Sequence, residues 1–126
     1  MLAPQTFPPA VFDVTTTAHA SVVTVTGELD LAVTEHLETL LRQELRLAPA
    51  AVVFDASAVT FCSARVLTIL LDTTGEAAAS GVPFAVASRS RALLRPIAVL
   101  RLEHLLPVHA STGEALAWLG LARELA

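Results

Sequence analysis

The sequence predicts one α/β domain, a mixed but mostly parallel β-sheet of about five strands packed by four helices. Three observations carry that prediction. The chain has 126 residues, enough for one hydrophobic core and too few for two domains. Segments of strand character alternate with segments of helical periodicity, in the order β-β-α-β-α-β-α-β-α. Segment 50–55 is a continuous apolar run ending in an acid, the pattern of a strand covered on both faces, and 82–87 is another short apolar strand.

Residues 1–10 contain Pro4, Pro8 and Pro9 and are expected to form a flexible lead, with the domain spanning 11–126. Val11 to Thr17 alternates, with Phe12, Val14 and Thr16 on one face and Asp13, Thr15 and Thr17 on the other. Ser21 to Thr26 is rich in Val and Thr, and the short gap between the two predicts an antiparallel hairpin. Gly27-Glu28-Leu29-Asp30 reads as a break. Val33, Leu37, Leu40 and Leu41 then fall at i, i+4, i+7 and i+8, one face of a helix that Pro49 closes. Glu38 and Arg42 form an i,i+4 pair off that stripe. The apolar run Ala50 to Asp55 is a buried strand, and 56–63 is expected to be a loop.

A second helix runs from about Ser63 to about Ala79, with Leu67, Leu70, Leu71, Thr74 and Ala78 as its expected inner face and Gly81 as its stop. Val82 to Ala87 is another strand. Ser88 to about Leu100 reads as a third helix broken at Pro96. Leu105 to His109 reads as an edge strand because of Pro107. Ser111-Thr112-Gly113-Glu114 is a capping box that opens the last helix, through about Glu124. In an open parallel sheet the functional loops lie at the carboxyl ends of the strands. Here those are 27–30, 56–63 and the segments after Ala87 and His109.

Composition narrows the function. Hydrophobic residues make up 54% and charged residues 16%, which excludes intrinsic disorder. All eight basic residues are Arg and the net charge is −4, which argues against a nucleic-acid partner. The single Cys cannot form an internal disulfide, as expected in the cytoplasm. No stretch approaches the roughly 20 apolar residues of a membrane span. The start carries no basic residue and is not expected to be a secretory signal. Ser63 lacks the Gly-x-Ser-x-Gly elbow of hydrolases, and there is no Gly-rich phosphate loop. His19, His36, His104 and His109 show no metal-ligand spacing. No enzymatic activity, metal or cofactor is expected.

Three stretches resemble a known family. They are Val25-Thr26-Gly27-Glu28-Leu29-Asp30, the run Val53 to Phe61 with Asp55-Ala56-Ser57-Ala58-Val59 inside it, and Ser111, Glu114, Ala115 and Leu119 at the final helix. In this order and spacing, over about Val11 to Leu119, the chain resembles STAS domains of the anti-sigma factor antagonist type. The resemblance implies the STAS fold. It also implies a regulatory protein of bacterial transcription control that docks on an anti-sigma factor, a serine kinase with a GHKL-type fold. In that family, phosphorylation of a loop Ser breaks the complex.

The chain departs from the family pattern at the phosphorylation site. The family continues after the Phe with apolar-Asp-Ser-Ser/Ala-Gly-Leu, whereas here Phe61 is followed by Cys62-Ser63-Ala64-Arg65-Val66-Leu67. Ser63 replaces the Asp and Ala64 takes the acceptor position without a hydroxyl. A shift of one residue near a helix start turns a side chain by about 100°. Either Ser63 is a displaced phosphoacceptor or the site is degenerate, and the missing hydroxyl favours the second. The plain alternative for Ser63 is a helix N-cap worth about 1 kcal/mol.

The expected partner-binding residues are Gly27, Glu28, Asp30, Ser63, Ala64 and Arg65. Each also has a plainer role: Gly27 in a turn, Glu28 as a solvated acid, Asp30 as a helix cap and Arg65 as a surface cation. Cys62 is expected to be a small core residue. The rival readings are a ligand-sensing STAS module for a nucleotide or lipid, and a self-associating scaffold, with a homodimer in view. The low charge predicts docking governed by apolar burial more than by salt.

Overall fold

Alternation of strand and helix along the chain produces a layered α/β fold. The structure is a computed structural model that describes the backbone of residues 10–125 and the side chains of residues 10–120. Its elements are β1 Val11–Thr16, β2 Ser21–Leu29, α1 Leu31–Arg46, β3 Val52–Cys62, α2 Ala64–Ser80, β4 Phe84–Ala87, α3 Arg91–Val99, β5 Val108–His109 and α4 Thr112–Leu125. They form one sheet of order β1-β2-β3-β4-β5. β1 is antiparallel to β2, and every other pair is parallel. The expected lead at 1–10 lies outside the described residues except for Ala10, which packs against the core.

Alternate strand residues face opposite layers, as the pleat requires. Val23, Val25, Phe54, Ala56 and Val86 face one way, into a core shared with Leu37 and Leu41 of α1, Leu67 and Leu70 of α2, and Leu93 and Ile97 of α3. Val53, Ala85 and Ala87 face the other way and meet Ala115 and Leu119 of α4. Three helices thus cover one side of the sheet. The Ala-rich other side receives α4.

Several sequence expectations need correction. Most of the break at 27–30 and of the loop at 56–63 is strand instead: β2 and β3 pair in parallel as far as Leu29 and Cys62, leaving only Asp30 and Ser63 as helix caps. Their apolar residues Leu29, Ala56 and Val59 are buried, which holds the backbone in the ladder. The inner face of α2 is Val66, Leu67, Ile69, Leu70, Thr73 and Ala77, while Ala78 is exposed and Leu71 and Thr74 are half-buried. The helix starts one residue later than expected, and its small residues carry little periodic signal. α3 is not broken at Pro96; it runs through it. Proline removes one intrahelical bond, and burial of Leu93 and Ile97 on either side of it holds the helix together. The last strand is only Val108–His109, since Leu105 and Leu106 belong to a turn closed by their N–H groups on Leu102 O.

Other expectations stand. Asp30 caps α1, Gly81 ends α2 with φ 72°, and Glu38 pairs with Arg42 at 3.5 Å. The capping box forms at α4. Ser111 Oγ accepts from Glu114 N at 3.1 Å, and Glu114 Oε2 accepts from Ala110 N at 3.2 Å.

Candidate functional site

β3 has 11 residues and β2 has 9, yet both reach the same end of the sheet. The mismatch is absorbed where the register slips, between Thr24 and Thr26 and again between Gly27 and Glu28. At each slip β3 accommodates one residue more than β2, as a bulge does. Gly27 stands at the second slip with φ 95°, a backbone region where a side chain is disfavoured. Its freedom therefore serves a bulge rather than the expected turn.

The bulged part of β3 is tied by side chains. Asp55 Oδ1 accepts from Ser57 N at 3.0 Å, and its Oδ2 accepts from Thr112 Oγ1 at 3.2 Å. β4 ends opposite Asp55, so the carbonyls beyond it lack a strand on that side. Ser88 Oγ donates to Ala56 O at 3.0 Å, and Ser90 Oγ donates to Val59 O. Ser90 also caps α3 by accepting from Ala92 N at 3.2 Å. The Ser88-Arg89-Ser90 spacing is the sequence signal for these bonds, and motif reasoning passed over it.

This ladder brings two helix N-termini together. Ser63 N donates to Leu29 O at 2.9 Å, joining the start of α2 to the residue just before the α1 cap. Asp30 Oδ1 accepts from Ala32 N at 3.0 Å. Glu28 is half-buried opposite exposed Phe61. Gly27, Glu28, Asp30, Ser63, Ala64 and Arg65 thus lie at one end of the sheet. Two exposed apolar residues that motif reasoning left out of the face join them: Leu31, 72% exposed at the first position of α1, and Phe61, 48% exposed.

Ser63 departs from its expected role. It occupies the N-cap position of α2, but its side chain makes no cap bond. Its Oγ is sealed from solvent and has no hydrogen-bond partner among the described residues. Ala64, next in the chain, is exposed and presents a methyl group. Arg65 is neither a free cation nor buried. Its Nη2 sits 2.9 Å from Glu38 Oε2, and Glu38 also faces Arg42 at 3.5 Å. Arg42 in turn faces Glu76 at 3.5 Å, so a chain of ion pairs links α1 and α2. Being exposed, these pairs stabilise by well under 1 kcal/mol each. Their effect is to neutralise Arg65.

Burial pushes the Cys62 thiol up to about 11, far from the range of a nucleophilic thiolate. Among the described residues no three His, Cys, Asp or Glu side chains come together as a metal site, and no described helix is long and apolar enough to cross a membrane. The arrangement sets two exposed apolar side chains, Leu31 and Phe61, among the charged and polar residues at two helix starts.

A family model described as the Mlab STAS domain matches residues 12–107. No curated protein matches the chain. Among solved structures, an anti-sigma factor antagonist from Mycobacterium paratuberculosis is 29% identical over 95% of this chain and 99% of its own, with a TM-score of 0.81. The anti-sigma factor antagonist SpoIIAA in its unphosphorylated form is 16% identical over 92% of this chain and 99% of its own, with a TM-score of 0.72. The Bacillus cell fate determinant SpoIIAA has also been solved in a phosphorylated form, at 16% identity over 85% and 97%, with a TM-score of 0.65. A variant of RsbS from Moorella thermoacetica is 22% identical over 89% and 97%, with a TM-score of 0.66. These last likenesses are likenesses of fold.

Proposed function

The chain belongs to the STAS domain family, and from that premise we propose that it is a non-catalytic cytoplasmic antagonist of an anti-sigma factor whose docking is not switched by phosphorylation. Its partner is a serine kinase of the GHKL type. The docking face is the end of the sheet formed by Gly27, Glu28 and Asp30, with Leu31 and Phe61 as apolar anchors and Ser63, Ala64 and Arg65 at the start of α2. The 29% identical mycobacterial antagonist supports this reading.

One observation carries the constitutive character: the exposed residue at the start of α2 is Ala64, while the neighbouring Ser63 hydroxyl is sealed and unpartnered. A phosphate adds about 1.5 to 2 negative charges, enough to break an apolar interface by repulsion and desolvation. Ala64 has no oxygen to receive one. Ser63 would have to leave its sealed position before a kinase could reach it.

The test incubates the protein with the serine kinase anti-sigma factor of its own cell and ATP. Complex formation is measured by calorimetry, and any phosphate is mapped by mass spectrometry with Ser63→Ala as control. The expected result is a stable complex that persists with ATP, no phosphate on Ser63, and binding at least about tenfold weaker for Leu31→Asp or Phe61→Asp. Phosphate on Ser63 with release of the kinase overturns the constitutive reading. Absence of any complex overturns the antagonist reading.

A further inference from the structure

We infer that the outer face of α3 and the adjoining β5 edge form a second docking surface, whose partner is an acidic, leucine-rich or otherwise apolar peptide segment of another protein. Charge points to it first. The chain is acidic overall, yet 77–102 contains no acid and holds four of the eight basic residues, Arg89, Arg91, Arg95 and Arg101. All four are exposed, and none has an ion pair among the described residues. Arg42 and Arg65, by contrast, are paired.

The same face is apolar where a solvated helix would be polar. Positions 91, 94, 95, 98 and 99 are exposed at helical spacing, and two of them are Leu94 and Val99. Leu105, 52% exposed, stands on the turn that leads toward β5. Between α3 and β5 runs a groove of about 320 Å³ walled by Leu94, Ile97, Leu106, Pro107 and Val108, with Glu103 the one acid among its described lining residues. β5 is paired on one side only among the described residues.

Helix-end geometry fixes where one of these cations stands. α3 ends in a paired motif in which Leu102 N donates to Ile97 O at 2.9 Å and Arg101 N donates to Ala98 O at 3.1 Å. The residue after the cap in such a motif is left-handed and usually Gly. Here it is Arg101, with φ 54°. The turn thus fixes the backbone from which Arg101 projects at the end of α3.

An acidic apolar peptide fits better than an anionic bilayer. The apolar residues line a concave groove. The amphipathic face of α3, with Leu93 and Ile97, is locked in the core and cannot turn onto a membrane. Carboxylates on a peptide would meet the Arg guanidiniums as charge-assisted bonds while its apolar residues fill the groove.

The test selects a random peptide library of about 12 residues against the full chain, and synthesises the enriched sequences for binding by fluorescence anisotropy. The expected sequences combine Asp or Glu with Leu, Ile or Phe. Their affinity falls at least about tenfold for Arg91→Glu/Arg95→Glu and falls with added salt. Arg101→Gly weakens the peptide while leaving the protein at least as stable to urea, which a merely structural Arg101 would not do. Leu31→Asp leaves the peptide bound, so this surface stands or fails apart from the proposed kinase face. Circular dichroism confirms that each variant is folded. The inference is overturned by failure to enrich acidic sequences or by indifference to the Arg91/Arg95 change. Charge-dependent sedimentation with phosphatidylserine vesicles, or dimerisation lost in the same variant, overturns it in favour of a membrane or a second copy.

Discussion

Replacing Ser63 by Ala is expected to leave the protein as stable as before or to stabilise it, against the usual rule for its position. At a helix N-cap, Ser→Ala normally costs about 0.5–2 kcal/mol, because the hydroxyl satisfies a free N–H of the first turn. Ser63 makes no such bond, so that cost does not arise. Its Oγ is instead sealed without a partner, and an unpaired buried hydroxyl costs about 1–3 kcal/mol. Removing it relieves part of that cost. A small void where the oxygen stood takes back a fraction. The balance lies between no change and a gain of about 1 kcal/mol. Urea unfolding followed by fluorescence of Trp118 reads it as an unchanged or raised midpoint at constant slope. A loss of about 1 kcal/mol or more would refute the reasoning, because it would show a cap bond in solution. A cap bond in solution would also mean that the Ser63 hydroxyl does not rest in its sealed, idle position, on which the constitutive reading rests in part.

Ser90→Ala should cost about 2 kcal/mol in the same assay, about 1 for the lost α3 cap and about 1 for the unsatisfied Val59 carbonyl; a cost below about 0.5 kcal/mol would mean that water serves both groups. Ala48, φ 48°, and Arg101, φ 54°, are both left-handed, so Ala48→Gly and Arg101→Gly should each stabilise by about 0.5–1 kcal/mol, with a destabilised Ala48→Gly as the contrary result. Cys62 should resist iodoacetamide at neutral pH, its alkylation rate rising toward about 11 rather than 9.0. The thiol is raised in the fold, so the unfolded chain loses its proton first. Stability should therefore hold below about 9.0, decline as pH rises toward about 11, and show no such decline attributable to this site in Cys62→Ala.

Periodicity and punctuation made most of the fold legible. The i, i+4, i+7 stripe at Val33 to Leu41 and the αL glycine Gly81 locate α1 and the end of α2 without help from tertiary structure. The gathering of Gly27, Glu28, Asp30, Ser63, Ala64 and Arg65 at one end also follows from strand order and motif spacing. What was illegible depends on partners distant in sequence. Gly27 and the small polar residues of Asp55-Ala56-Ser57-Ala58 carry turn propensity, and only their parallel ladder, with two slips of register, keeps them in strands. The idle hydroxyl of Ser63 is likewise invisible locally, since N-cap chemistry predicts a bond from residue type alone. Leu31 and Phe61 count as core by hydrophobicity, and only the packing leaves them exposed.

The low overall charge suggested docking insensitive to salt, but the structure divides the charge unevenly. At the α1 and α2 starts, Arg65 is paired with Glu38, Asp30 is engaged in its cap and Glu28 is half-buried, so exposed Leu31 and Phe61 supply most of what a partner would meet. Apolar burial is little affected by ionic strength, and binding at the proposed kinase face should be far less sensitive to it than binding at α3. On α3, Arg91 and Arg95 have no ion pair among the described residues, and an interface built on them weakens as counterions screen them. Salt therefore separates the two surfaces on one small domain. A partner displaced by modest salt belongs to α3, and one that persists belongs to the paired helix starts.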